Sequence, residues 1–113
     1  MEVLDECPVH YALTKLNGKW KLLIVWVLTK NEMIRFNELQ RKLSGISALM
    51  LSKNLQELEE DKIVIRVQYN EVPPHVEYSL TELGKAIEPA LSMLGEWGEM
   101  VYEGSKRDDR SDG

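Results

Sequence analysis

RFNELQRKLSGISALMLSKNLQELEEDKIVIRVQYNEVPPHVEYSLTELG, residues 35–84, is the stretch that decides the fold. It opens with a short amphipathic segment in which Leu39 and Leu43 sit four apart on one helical face, with Gly45 as its stop. Ser47 is a good N-cap for a further helix running to about Glu60. In that helix Leu51, Leu55 and Leu58 form an i, i+4, i+7 stripe that faces a core. Ala48, Leu49, Ser52, Lys53 and Gln56 are left on the outer face. Ile63, Ile65, Val67 and Tyr69 then point one way while Val64, Arg66 and Gln68 point the other; Val76, Tyr78 and Leu80 alternate again with Glu77 and Ser79. The two runs are joined by NEVPPH, residues 70–75, whose prolines donate no ladder bonds and stiffen the tip. An exposed helix beside a stiff projecting hairpin suits a protein that grips duplex DNA.

The flanks complete a domain that is mainly α with a small β-hairpin. Cys7-Pro8 starts a short helix over about Val9–Leu16, with proline at the favoured first position and Gly18 as a left-handed stop. Lys19–Thr29 follows, and its LLIVWVL run is apolar on nearly every side, as expected of a central buried helix. Thr81 caps the last helix, in which Leu83, Ile87, Leu91, Leu94, Trp97 and Val101 recur at helical spacing. Pro89 is expected to kink it, because the bond to the Lys85 carbonyl is lost. A domain this small has little interior for so long a seam, so a second copy of the chain is its expected partner. Residues 1–6 read as an extension, 7–103 as the domain, and the polar segment 104–113 as a disordered tail.

Composition narrows the function. With 113 residues, 43% apolar, the chain makes one globular domain. Its net charge is −5, yet residues 15–53 hold eight Lys/Arg against two Glu. An acidic protein has kept a basic face around the exposed helix. The longest apolar run, Leu22–Leu28, is too short to cross a bilayer. One cysteine, no signal peptide pattern and no internal disulfide fit the cytoplasm. No paired Cys/His spacing, phosphate-binding loop or nucleophile–base set is present, so no metal, cofactor or catalytic residue is expected. The Glu57, Glu59, Glu60, Asp61 run reads as a solvated acidic turn.

Five blocks in order carry a family likeness: CPV at 7–9, NGKW at 17–20, RFNEL at 35–39, LSKNLQELEED at 51–61 and VPPHVEYSLTELG at 72–84. Together they resemble the HxlR-type winged helix-turn-helix regulators, relatives of the MarR group. The resemblance implies a homodimer of winged helices joined through their terminal helices, binding a specific operator, usually as a repressor and sometimes as an activator. Two departures stand out. Many members carry Gly where this chain has Lys62, which costs about 1 kcal/mol if the left-handed turn is kept. Leu49 stands where the family more often places a polar or basic residue; it either contacts a thymine methyl or weakens binding.

On this basis Ser47, Ala48, Leu49, Ser52, Lys53 and Gln56 would face a major groove, with Arg35, Arg41, Lys42 and Lys53 as phosphate contacts and Lys21 facing the backbone. Arg66 and His75 would reach the flanking groove or backbone from the hairpin. Any one of these is as readily an ordinary surface residue. Leu83, Ile87, Leu91, Leu94, Trp97 and Val101 would form the dimer interface. Cys7 lies at a helix start, where aligned peptide dipoles favour negative charge and a thiol is reactive. Some relatives sense oxidants or electrophiles with a cysteine here; the alternative is a small, inert thiol buried in the dimer interface. The expected partners are double-stranded DNA and a second copy, with no membrane. The competing assignment is a winged-helix protein-interaction module that does not read DNA.

Overall fold

The computed structural model describes residues 7–112, with side chains through residue 106; the N-terminal extension lies outside the described residues. Its elements run α1 (Pro8–Lys15), α2 (Lys21–Thr29), β1 (Ile34–Arg35), α3 (Phe36–Lys42), α4 (Ala48–Glu60), β2 (Val64–Tyr69), β3 (His75–Leu80), α5 (Glu82–Lys85) and α6 (Glu88–Asp112). The strands form one antiparallel sheet in the order β1-β3-β2.

Cys7 is the N-cap of α1, with Pro8 first in the helix; its Sγ accepts the His10 backbone N–H at 3.4 Å. Gly18 takes φ +83°, as a turn between two helices requires. Helix α2 starts two residues later than the sequence suggests, at Lys21. It carries Ile24, Val25 and Leu28 into the core, while Leu23 stays exposed. Leu39, Leu43, Ile46, Leu51, Leu55 and Leu58 meet them from α3, the turn and α4. Apolar side chains from three helices thus bury one another, and their removal from water is what holds the helix-turn-helix together. No helix among the described residues is long and apolar enough to cross a membrane.

The hairpin register runs from Val64 opposite Leu80 to Tyr69 opposite His75. Its faces alternate as expected, but the apolar set of β2 is turned outward: Ile65 and Val67 are each 41% exposed. The reason lies in β3. Tyr78 and Leu80 are buried, and this register places Arg66 and Val64 on their side of the sheet. Strand β1 was not expected; Ile34 and Arg35 pair with Tyr78 and Glu77 and tie the start of α3 to the hairpin.

The end of α4 fixes where the hairpin begins. Lys62 sits at φ +64°, the left-handed position. The Lys62 N–H reaches the Glu59 carbonyl at 3.0 Å and the Ile63 N–H reaches the Leu58 carbonyl at 2.9 Å, a Schellman closure. Thr81 locks this corner, donating its hydroxyl to the Lys62 carbonyl at 2.7 Å and accepting the Gly84 N–H at 3.0 Å. Gly84 is required there, since a Cβ would collide with the Ile63 carbonyl oxygen.

Two expectations for the C-terminal region are corrected. Thr81 caps only the short α5; the chain breaks at Ala86–Ile87 and restarts at Glu88. Pro89 is the second residue of the new helix, where no intrahelical partner is lost, so it starts a helix instead of kinking one. Second, α6 continues through Gly104 to Asp112, where the polar composition suggested a disordered tail. Once a helix is nucleated, each added residue contributes a backbone bond, and composition alone does not end it.

Candidate nucleic-acid interface

Helix α4 is presented by its cap and its underside. Ser47 accepts the Met50 backbone N–H at 3.0 Å, setting where the helix starts. Leu51, Leu55 and Leu58 anchor the underside, together with Asn54, whose amide donates to the Met50 carbonyl at 2.8 Å. Ser47, Ala48, Leu49, Ser52, Lys53 and Gln56 are all exposed on the other side. The face expected to be outward is outward. Asn54 is the residue that reasoning from sequence missed, because a polar side chain on an amphipathic helix reads as surface.

The hairpin stands beside this face. Arg66 and Tyr78 line one cleft with Ser52, Gln56 and Glu59 of α4. Arg35, Asn37 and Arg41 line a second with Pro73, Pro74 and His75 of the hairpin tip. The fold therefore brings Arg66 to the outer face of α4, and Arg35 and Arg41 to the wing. Among the described residues, Arg35, Arg41, Lys42, Lys53 and Arg66 form no ion pair, so their charges remain available to an anionic partner. His75 is less available. Its ring stacks on Tyr69 with centroids 4.8 Å apart, and Nε2 lies 3.1 Å from Glu77 Oε2, so it braces the tip end of the hairpin ladder. The most projecting apolar residue of the tip is Val72, fully exposed and not singled out from sequence.

Lys21 is a correction. It was expected at the DNA backbone, but it is only 5% exposed and turned inward. Its Nζ lies 2.7 Å from Glu57 Oε1 and donates to Asn17 Oδ1 at 3.2 Å. The ammonium's hydrogen bond and charge hold the Glu57 carboxyl below its usual range, with Lys53 adding a smaller pull and desolvation opposing. Glu57 lies on α4, so this pair ties that helix to the start of α2. A second link, Lys15 Nζ to Asp61 Oδ1 at 3.5 Å, joins the end of α1 to the C-cap of α4.

The apolar seam divides. Leu91 is buried within the protomer and Ile87 packs partly against its core, so Leu91 is corrected from an interface residue to an internal one. Leu83, Leu94, Trp97 and Val101 remain exposed, joined on α6 by Met93, Met100 and Tyr102 and on α1 by Val9 and Leu13. Tyr11 of α1 and Leu16, its C-cap, line one cleft with Leu83 and Ile87. Cys7, at the free end of α1, is exposed in the chain, so its thiol is not buried by the protomer.

Comparison with known proteins agrees with this geometry. Residues 15–106 match the HxlR-like helix-turn-helix family. The uncharacterized HTH-type transcriptional regulator YybR of Bacillus subtilis is 45% identical over 95 residues, covering 84% of this chain and 75% of YybR. The redox regulator HypR in its reduced form superposes with a TM-score of 0.81 at 40% identity, covering 89% of this chain and 99% of that one. Its oxidized form gives a TM-score of 0.77 at 45% identity, covering 83% and 96%.

Proposed function

This chain belongs to the HxlR-like helix-turn-helix family, its relatives are transcriptional regulators, and we propose that it acts as a cytoplasmic homodimeric repressor reading a palindromic operator. The observation that carries this proposal is the exposed, Ser47-capped face of α4 beside a projecting hairpin, with nearby cations that form no ion pair among the described residues. Each protomer would lay α4 in a major groove, with Lys53, Arg35, Arg41 and Lys42 on phosphates and Arg66 at the groove edge. His75 would act through the wing it braces. The apolar surface of α6 and α1 is what a second copy would cover. Two-fold symmetry then sets half-sites about one helical turn (~10 bp), or a multiple of it, apart.

Regulation through Cys7 belongs to the same proposal. The likeness to HypR, a redox regulator, and the exposed thiol at the start of α1 support it. With one cysteine per chain, an oxidant would take two electrons and two protons from two Cys7 thiols to form an intersubunit disulfide, or would leave an adduct on one. Movement of α1 would reach α4 through Lys15 and Asp61.

Salt dependence tests the DNA role. Phosphate contacts release counterions, so affinity should fall steeply with salt, and Lys53→Ala should flatten the log–log slope by about one. Salt-independent binding, or none, would instead favour a protein-interaction module.

A further inference from the structure

Leu49, the second residue of α4, is 81% exposed. Exposed Ala48 precedes it, and the rest of the outward face is polar or cationic: Ser52, Lys53 and Gln56. The leucine has no role in the core, because Leu51, Leu55 and Leu58 fill the inward positions of the helix. Nor does it belong to the apolar surface on α1 and α6. It is an apolar step at the leading end of a helix that carries Lys53, shares one cleft with Arg66 and is preceded by a turn that shares another with Arg41, and these cations form no ion pair among the described residues.

Charge complementarity makes the partner of this region a polyanion. The leading residues of a reading helix are the ones that meet base edges. In the major groove of duplex DNA the apolar group that projects from those edges is the 5-methyl of thymine; cytosine, guanine and adenine carry no methyl there. We infer that Leu49, supported by Ala48, is a specificity-determining residue that packs on a thymine methyl, and that each operator half-site carries a thymine at the matching position. This rests on the DNA-reading role proposed above and adds to it the base that is read. A charged residue at this position would read through hydrogen bonds; leucine reads through shape and burial, and discriminates thymine from cytosine and uracil alike.

Deoxyuridine gives the test, since it keeps every hydrogen-bonding atom of thymine and removes the methyl alone. In a duplex selected from a random pool, each thymine of one half-site is replaced in turn. Burying one methyl group corresponds to about 4-fold in affinity. The wild-type chain should therefore bind about 4-fold more weakly when one particular thymine is replaced. Leu49→Ala should bind the thymine and uracil duplexes equally, within about 2-fold. An unchanged melting temperature would show that the variant, altered only at an exposed position, keeps its fold. Wild-type affinity indifferent to uracil at every position would overturn the inference and leave DNA reading intact. So would a uracil effect equally large in Leu49→Ala. Failure to select any duplex would instead remove the DNA-reading role, and this inference with it.

Discussion

Replacing Lys62 by glycine should stabilise this protein. Lys62 is held at φ +64° by two backbone bonds at the end of α4 and by the Thr81 hydroxyl on its own carbonyl, so it cannot relax to a right-handed conformation without breaking all three. A side chain in that region costs roughly 1–2 kcal/mol. Glycine removes the cost but loses about 0.5–1 kcal/mol through the greater freedom of its unfolded chain. The net gain should be about 0.5–1 kcal/mol. At ~2 cal/mol/K of unfolding entropy per residue, a chain of this length should melt about 2–4 °C higher. The Lys62 side chain is exposed and makes no ion pair or hydrogen bond among the described residues. Lys62→Ala, which keeps the strain, is therefore the control and should melt within about 1 °C of wild type. Both variants are compared by calorimetry at one protomer concentration, because a dimer's melting temperature depends on it. An unchanged or lower melting temperature for Lys62→Gly, or an equal gain in Lys62→Ala, would refute the reasoning from backbone strain.

Two further outcomes follow from other parts of the structure. Trp97 is 61% exposed on α6, so Trp97→Lys should leave the protomer folded and convert a dimer into a monomer of the 13.0 kDa chain mass; sedimentation of a monomeric wild type, or a dimeric variant, would contradict the assigned interface. Glu57 has its carboxyl held below the ordinary value of 4.5, so the stability it contributes is fully present above that pH and is lost as pH falls through the depressed folded value. The urea midpoint of wild type should accordingly fall on acidification by more than that of Glu57→Gln, and coincident profiles would show that the pair with Lys21 has no such role.

What was legible in the sequence is what local chemistry dictates. Ser47 before an i, i+4, i+7 leucine stripe placed α4 and its outward face, because cap and stripe are both local. Alternation located the hairpin but not its inward face, since β2 and β3 are both apolar enough to serve; burial of Tyr78 and Leu80 decided it. Strand β1 has two residues and no period to detect. Lys21 was misplaced because an isolated lysine reads as surface charge, and the carboxylate that buries it lies 36 positions away, at Glu57. Pro89 marked a disturbance in the last helix without saying whether it bends that helix or starts another. The candidate cations were legible as charge; which of them the fold gathers beside α4 and which beside the wing tip was not.

The most direct measurement is selection of duplexes from a random DNA pool with the reduced protein at near-physiological salt. Enrichment of an inverted repeat, with half-sites about one helical turn (~10 bp) or a multiple apart, is the expected result for two α4 helices presented by a two-fold dimer. Recovery of no motif, with only weak binding that vanishes as salt is raised, would contradict the assignment of α4 as a sequence-reading helix.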